Sequence, residues 1–379
     1  MTDIPVQRAV ALVDDAAVER NCRRLVGELA EGGSLCAVVK ANGYGHGAAE
    51  CARAALAGGA ERLAVAAAAE AAELRRHLPD ARILTMGALT EPELDAALAA
   101  ASDVAVWHPR FAELIAERGA ELGVRPRLHV KYDTGMGRLG ERDPDAVLSL
   151  LDRVGADDRV ELAGVWTHFA TADELDSRFF GEQLDRFAAV AERVRADHPG
   201  VLVHAANSAA TLRDPDSHFD LVRCGIAIYG LDPFHADPFE RRLEPALELR
   251  SYVADVKRFP AGTSAGYGRR WRAPADTWVG VLPIGYGDGV RRALTNNAET
   301  LVAGARYPLV GTVSMDNLTI DLGAGTRVES GSPAVLIGAQ GDERILCEEV
   351  ARRLETITYE VTCGISARVP RVHVRSEGP

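Results

Sequence analysis

The chain has 379 residues, 47% apolar and 26% charged, the make-up of a globular protein with a sizeable core and more than one small domain. Its formal net charge of −12 excludes a broad surface for nucleic acid or anionic membrane but leaves room for local arginine clusters. No uncharged apolar run approaches the roughly 20 residues of a bilayer span, and the six cysteines include no C-x-x-C pair. They read as reduced, buried thiols. Met1 to Arg8 lacks the basic and apolar regions of a signal peptide. The expectation is a cytoplasmic protein with no metal, nucleic-acid or membrane partner.

A helical pattern over 16–29 puts Val18, Cys22, Leu25, Val26 and Leu29 on one side. The apolar run Leu35 to Val39 then reads as a buried strand and stops at Lys40. Gly43, Gly45 and Gly47 follow, interleaved with Tyr44 and His46. A lysine at the end of a buried strand is costly unless it is paired or does chemistry. One reading is a solvated lysine before a flexible turn. The other is a lysine that forms a Schiff base with a carbonyl cofactor.

From there strand candidates over 62–65, 82–85, 104–107, 128–131, 162–166, 202–204 and 220–223 alternate with helix candidates. The helices fall over 66–77, 91–100, 109–122, 144–154 and 180–198. With the lysine strand this is an α/β pattern of eight units, a (β/α)8 TIM-type barrel over residues 1–240. Such barrels carry catalytic groups at the carboxyl ends of strands. Lys40, Lys131, His168, Asn207, Ser208 and Arg223 all fall there. Residues 241–379 read as a C-terminal all-β domain. Its strand candidates are 247–259, 277–285, 299–302, 308–313, 318–322, 332–337 and 369–374, with one helix over 347–354.

The string VVKANGYGHG around Lys40 resembles the cofactor-lysine motif of the alanine racemase family. Further segments match that family in the same order from near residue 12 to Arg371. The resemblance implies pyridoxal 5'-phosphate at Lys40, with Tyr44 and Tyr359 reaching its phosphate. In DTGMGRLG, Arg138 offers a planar fork suited to a carboxylate. The matching family arginine supports the substrate carboxylate and the cofactor's phenolic oxygen. The lysine matching Lys131 is often carbamylated and holds that arginine. THFATAD implies that His168 lies beside the cofactor ring and bonds the arginine under it. Asn207-Ser208 starts a possible helix, where Ser208 would serve as N-cap, as phosphate ligand, or as both. VRCGIAIYG implies that Arg223 faces the pyridine nitrogen and that Gly225 and Ile226 offer backbone to the phosphate. Arginine's pKa above ~12 keeps it from giving the ring nitrogen a full proton, which favours plain removal and return of one α-proton.

Racemisation needs a base on each face of Cα. Lys40 serves one; SAGYGR resembles the family segment whose tyrosine, here Tyr267, serves the other from the partner subunit. This implies a homodimer with shared active sites and a small amino-acid substrate. The second domain would then contribute to the partner's site. Tyr286, Arg292, Thr312 and Ile357 match the substrate entrance, and GTVSMDN matches a segment in which the Met315 backbone binds the carboxylate beside Asp316. Thr312 and Ser314 stand where the family usually has arginine and cysteine. That exchange either alters substrate range or is neutral drift in a hairpin.

The function this implies is interconversion of L- and D-alanine by two-base α-proton transfer, supplying D-alanine for peptidoglycan. A racemase for another small amino acid such as serine stays open through Thr312. Arg223 speaks against a barrel-type decarboxylase, and Tyr267 with the β domain against a non-catalytic cofactor-binding protein.

Overall fold

The structure is a computed structural model that describes residues 7–377; most of the leader expectation, up to residue 6, lies outside the described residues. The chain divides into two compact units, Val18–Ile228 and Met1–Ala17 together with Tyr229–Pro379. Strand β1 (Val10–Asp14) belongs to the second of these.

The first unit is an eight-stranded parallel barrel. Its strands are β2 (Ser34–Val38), β3 (Ala60–Val65), β4 (Ile83–Thr85), β5 (Asp103–Val106), β6 (Arg127–Lys131), β7 (Glu161–Trp166), β8 (Leu202–His204) and β9 (Leu221–Cys224). They run in the order β8-β7-β6-β5-β4-β3-β2-β9. The seam between β8 and β9 is drawn together by Asp220 N–H to Val203 O at 3.0 Å and Arg223 N–H to Ala206 O at 2.8 Å. Helices cover the outside, so β5 and β9 are buried at every residue, including one charged residue each, Asp103 and Arg223. Local signals set the helix ends. The helix Pro109–Leu122 opens on proline and stops at Gly123, which takes φ 68°. Asp143 caps the helix Pro144–Gly155 by accepting from Asp145 N–H at 3.0 Å.

The second unit is built on β-sheet. The strands are β10 (Leu247–Tyr252), β11 (Asp255–Phe259), β12 (Ser264–Ala265), β13 (Trp271–Arg272), β14 (Thr277–Leu282), β15 (Glu299–Val302), β16 (Ala305–Pro308), β17 (Leu318–Gly323), β18 (Pro333–Gln340), β19 (Glu343–Ile345) and β20 (Arg371–Val374). With β1 they form a seven-stranded, a three-stranded and a two-stranded sheet. β1 lies between β10, antiparallel, and β20, parallel, so the two ends of the chain share one sheet.

Two expected strands change. The run 247–259 is two strands in different sheets. The chain crosses between them at Val253 and Ala254, whose N–H groups bond Ser332 O and Val281 O. The run 308–313 is not a strand: β16 ends at Pro308, and beyond Val310 the backbone turns to side chains. Gly311 N–H donates to Asn296 Oδ1 at 2.6 Å and Val313 N–H to Thr295 Oγ1 at 3.2 Å.

Candidate active site

Lys40 stands two residues past β2, at the carboxyl end of the barrel. Immediately after it Ala41, Asn42, Gly43, Tyr44 and Gly45 all take positive φ, between 52° and 85°. For the three non-glycine residues this left-handed turn costs about 1–2 kcal/mol each, so the surroundings must enforce it. They do so with hydrogen bonds: Ala41 N–H donates to Glu70 Oε1 at 2.6 Å, Ala48 N–H to Asn42 Oδ1 at 3.0 Å, and Gly43 N–H to Val39 O at 2.9 Å. The other oxygen of Glu70 accepts from Ala66 and Ala67 N–H, tying the lysine turn to the loop after β3. The turn carries the Tyr44 ring onto the backbone after β9. A Cβ on Gly225 would lie 2.3 Å from the Tyr44 hydroxyl, so only glycine fits there. Ser208 Oγ accepts from Gly225 N–H at 3.0 Å and Ala227 N–H at 3.3 Å. Ser208 is not the cap of its helix; Asn207 is, accepting from Ala210 N–H at 3.0 Å. An amide oxygen one residue earlier does that work and leaves the serine hydroxyl to face Gly225, which is followed by Ile226.

Arg223 on β9 is buried, and every donor it aims inward meets an acceptor. Nη2 donates to Thr167 O at 2.7 Å and Ala205 O at 3.0 Å, and lies 3.4 Å from His168 Nδ1. Nη1 lies 3.0 Å from His204 Nδ1. A guanidinium only donates, so His204 Nδ1 accepts and its proton sits on Nε2. His204 Nε2 is 2.9 Å from His129 Nδ1, and His129 Nε2 is 3.2 Å from Asp103 Oδ2. The hydrogen bonds therefore run one way through the barrel interior, from cation to carboxylate through two imidazoles. Burial, then the charge of Arg223, hold His168 and His204 well below the usual histidine range, so both are neutral. Burial lowers Arg223 to about 10, which leaves it charged at neutral pH. Trp166 floors the cluster: its ring stacks on His204 at 5.8 Å, with Lys131 Nζ 3.7 Å and Arg223 Cζ 4.7 Å from its centroid. Burial, with the nearby charges of Arg223 and Arg138, pushes the Lys131 amine down to about 7.

Arg138 is exposed on the loop after β6. That loop is folded on Asp133, which accepts from Gly135 and Gly137 N–H. Gln183, wholly buried on the helix Phe179–Asp197, joins it to the loop that carries His168. Its Oε1 accepts from Ala170 N–H at 2.8 Å, while Nε2 donates to Thr134 Oγ1 at 3.1 Å and His168 O at 3.2 Å.

The β unit holds the other expected residues. Tyr267, Tyr286, Met315 and Ile357 are exposed, unusually for large apolar side chains. Arg292 and Asp316 are exposed, Thr312 is buried and Tyr359 half-buried. Tyr286 and Gly287 N–H bond the carbonyls of Ser314 and Met315 at 3.0 and 2.9 Å, while Arg368 grips Asp316 at 2.7 Å. The Gly-Tyr-Gly-Asp turn is fixed from below by buried Asp288, which accepts from Arg8.

The family profile described as alanine racemase, N-terminal domain, matches residues 13–233, and that for the alanine racemase C-terminal domain matches 246–373. The chain belongs to the alanine racemase family. The alanine racemase of Geobacillus stearothermophilus is 43% identical, over 96% of this chain and 93% of its own. That of Symbiobacterium thermophilum is 41% identical over 96% of both. Among solved structures, the alanine racemase from E. faecalis superposes with a TM-score of 0.91 at 37% identity, covering 97% of this chain and 98% of its own. That from D-cycloserine-producing Streptomyces lavendulae gives 0.92 at 35%, covering 99% and 98%.

Several residues of this alanine racemase site escaped the motifs. Glu70 read only as an interruption of an alanine-rich helix. Asp103, His129 and His204 each sit inside an apolar strand run, and Gln183 sits between Phe180 and Phe187 on an apolar helix face. A polar residue at a core position was the available signal in all four, since such groups must be bonded when buried.

Proposed function

We infer that this chain interconverts L- and D-alanine with pyridoxal 5'-phosphate as cofactor, using Lys40 and Tyr267 as the two bases. The observation that carries the reading is the convergence of Lys40, Tyr44, Ser208 and Gly225 at one end of the barrel. The residues present fit the cofactor: a cradle at Gly225 that a Cβ would fill and the hydroxyls of Tyr44 and Ser208 beside it suit a phosphate group, and Arg223 offers a fixed cation to a ring nitrogen. Ile226 and Tyr359 complete the phosphate set by family resemblance. When bound, pyridoxal phosphate supplies a conjugated ring that acidifies the α-hydrogen of an amino acid.

The chain's own residues do the rest. The Lys40 amine takes or returns the α-proton on one face, and the Tyr267 hydroxyl does so on the other. Arg138 and the Met315 backbone hold the substrate carboxylate, with Asp316 braced by Arg368 beside them. Arg223 keeps its positive charge yet parts with its proton poorly, so the ring nitrogen receives a hydrogen bond rather than a full proton. His168, neutral, keeps a lone pair toward Arg223. Lys131, its amine lowered to about 7, has a substantial neutral fraction at pH 7, the form that captures carbon dioxide as a carbamate, an anion suited to Arg138. Tyr286, Arg292 and Ile357 line the entrance, while Thr312, expected among them, is buried with its hydroxyl on the Tyr267 carbonyl. The enzyme acts as a homodimer in the cytoplasm, each subunit lending Tyr267 to the other, and supplies D-alanine to peptidoglycan. The six cysteines form no disulfide, which supports the cytoplasmic part of this reading.

Chiral analysis of single amino acids incubated with the protein and pyridoxal phosphate tests the reading. Alanine should racemise fastest, serine slowly, and Lys40→Ala should abolish both. Racemisation surviving in Lys40→Ala, or carbon dioxide release in its place, would overturn it.

A further inference from the structure

Tyr267 poses a geometric problem. A base must sit within a fraction of an ångström of its target, yet this side chain is 73% exposed and stands between Gly266 and Gly268, at φ 71° and 70°. Its own chain leaves the ring largely uncovered, so what that chain does to fix its position comes through the backbone. The backbone has a clamp. Thr312, only 3% exposed, donates its hydroxyl to the Tyr267 carbonyl at 2.7 Å, a short, well-formed bond.

The two loops also interlock main chain to main chain. A Cβ on Gly266 would lie 3.0 Å from Thr312 N, and one on Gly311 2.9 Å from Ala265 O. The Thr312 loop is itself pinned on both sides of the threonine, by Asn296 to Gly311 N–H and by Thr295 to Val313 N–H. Asn296 also donates to Arg270 O at 3.4 Å, just beyond the tyrosine turn. A rigid path therefore runs from Thr295 and Asn296 through Thr312 to Tyr267.

We propose that Thr312 is the positioning residue for Tyr267, and that its hydroxyl sets where the tyrosine O–H stands for proton transfer. The proposal rests on the reading of Tyr267 as the second base. It gives the exchange of the usual arginine for threonine a physical content: an entrance charge is replaced by a backbone clamp.

The test compares Thr312→Val, Thr312→Ser and Tyr267→Phe as holoenzymes. Valine keeps the shape and removes the hydroxyl; serine keeps the hydroxyl. Thr312→Val should lower kcat about ten- to a hundred-fold with KM changed less than about threefold. In deuterated water, exchange at Cα should fall more for one enantiomer than for its mirror image, and for the same one in Tyr267→Phe. Amide hydrogen exchange over 264–270 should quicken in Thr312→Val at an unchanged melting temperature, and Thr312→Ser should restore both measures. Equal loss from both enantiomers, a change confined to KM, or no rescue by serine would overturn the clamp. A skewed loss in Tyr267→Phe alone would leave the second-base reading standing and remove only Thr312. An unskewed Tyr267→Phe would remove both.

Discussion

Lys131 is a cation placed where a cation is poorly tolerated. Its amine lies over the Trp166 ring, with burial as the largest cause of its lowered pKa and Arg223 and Arg138 next. The folded-state value of about 7 lies below the ordinary lysine value of 10.5, so between those limits the unfolded chain binds more protons than the native one. Stability from this site is therefore present above the unfolded value and is lost as pH falls through the folded one, with a slope of up to about 1.4 kcal/mol per pH unit. In buffer freed of carbon dioxide, wild-type protein should gain more stability than Lys131→Met as pH is raised from 7 to 10. Denaturant unfolding of the two proteins in parallel isolates the difference. Bicarbonate should raise the stability of the wild type alone, because a carbamate turns the unwelcome cation into an anion beside two arginines. Parallel curves for both proteins would mean that Lys131 is solvated and reacts with nothing.

At the scale of elements, the barrel was legible because parallel strands covered on both faces leave short, mainly apolar runs alternating with helical patterns. Strands over 202–204 and helices over 109–122 coincide with the structure. What escaped were features set by tertiary bonding. The turn from Ala41 to Gly45 is left-handed because Glu70 and Asn42 hold it, which no local propensity announces. The 308–313 run is apolar enough for a strand, yet Asn296 and Thr295 take the N–H groups of Gly311 and Val313. The helix Phe179–Asp197 likewise looked like a plain amphipathic cover, whereas Gln183 makes it a strut between the loops of Thr134 and His168. Gln183→Met keeps the volume but leaves Ala170 N–H and His168 O short of partners, at about 1–3 kcal/mol for each group left unsatisfied, while Thr134 Oγ1 keeps Thr167 Oγ1 at 2.8 Å. It should cost about 2–4 kcal/mol in urea unfolding. It should also lower kcat, because the loops of Arg138 and His168 then move independently. Lost stability with an unchanged kcat would make Gln183 a core residue and nothing more.

For the whole molecule, motif order foretold the barrel followed by β-sheet, but not that β1 would join β10 and β20, since a five-residue strand carries no record of partners hundreds of positions away. The same limit applies to Tyr267: its sequence motif says base, while the subunit it serves is a property of the assembly. Exposed Tyr267, Tyr286 and Met315 on one set of linked turns are costly in an isolated chain and reasonable in a two-fold dimer that covers them. The arithmetic of mixed dimers separates the cases. Take Lys40→Ala and Tyr267→Ala proteins, each inactive, and let subunits exchange. If the tyrosine crosses between subunits, each mixed dimer has one site with both lesions and one with neither. Half of the dimers are mixed at equal proportions, so about a quarter of all sites become intact. Activity should rise from near zero to about a quarter of wild type as exchange proceeds, and follow the mixed species on native mass spectrometry. If each tyrosine serves its own subunit, every site in every mixture keeps one lesion, and activity stays at zero however far exchange goes.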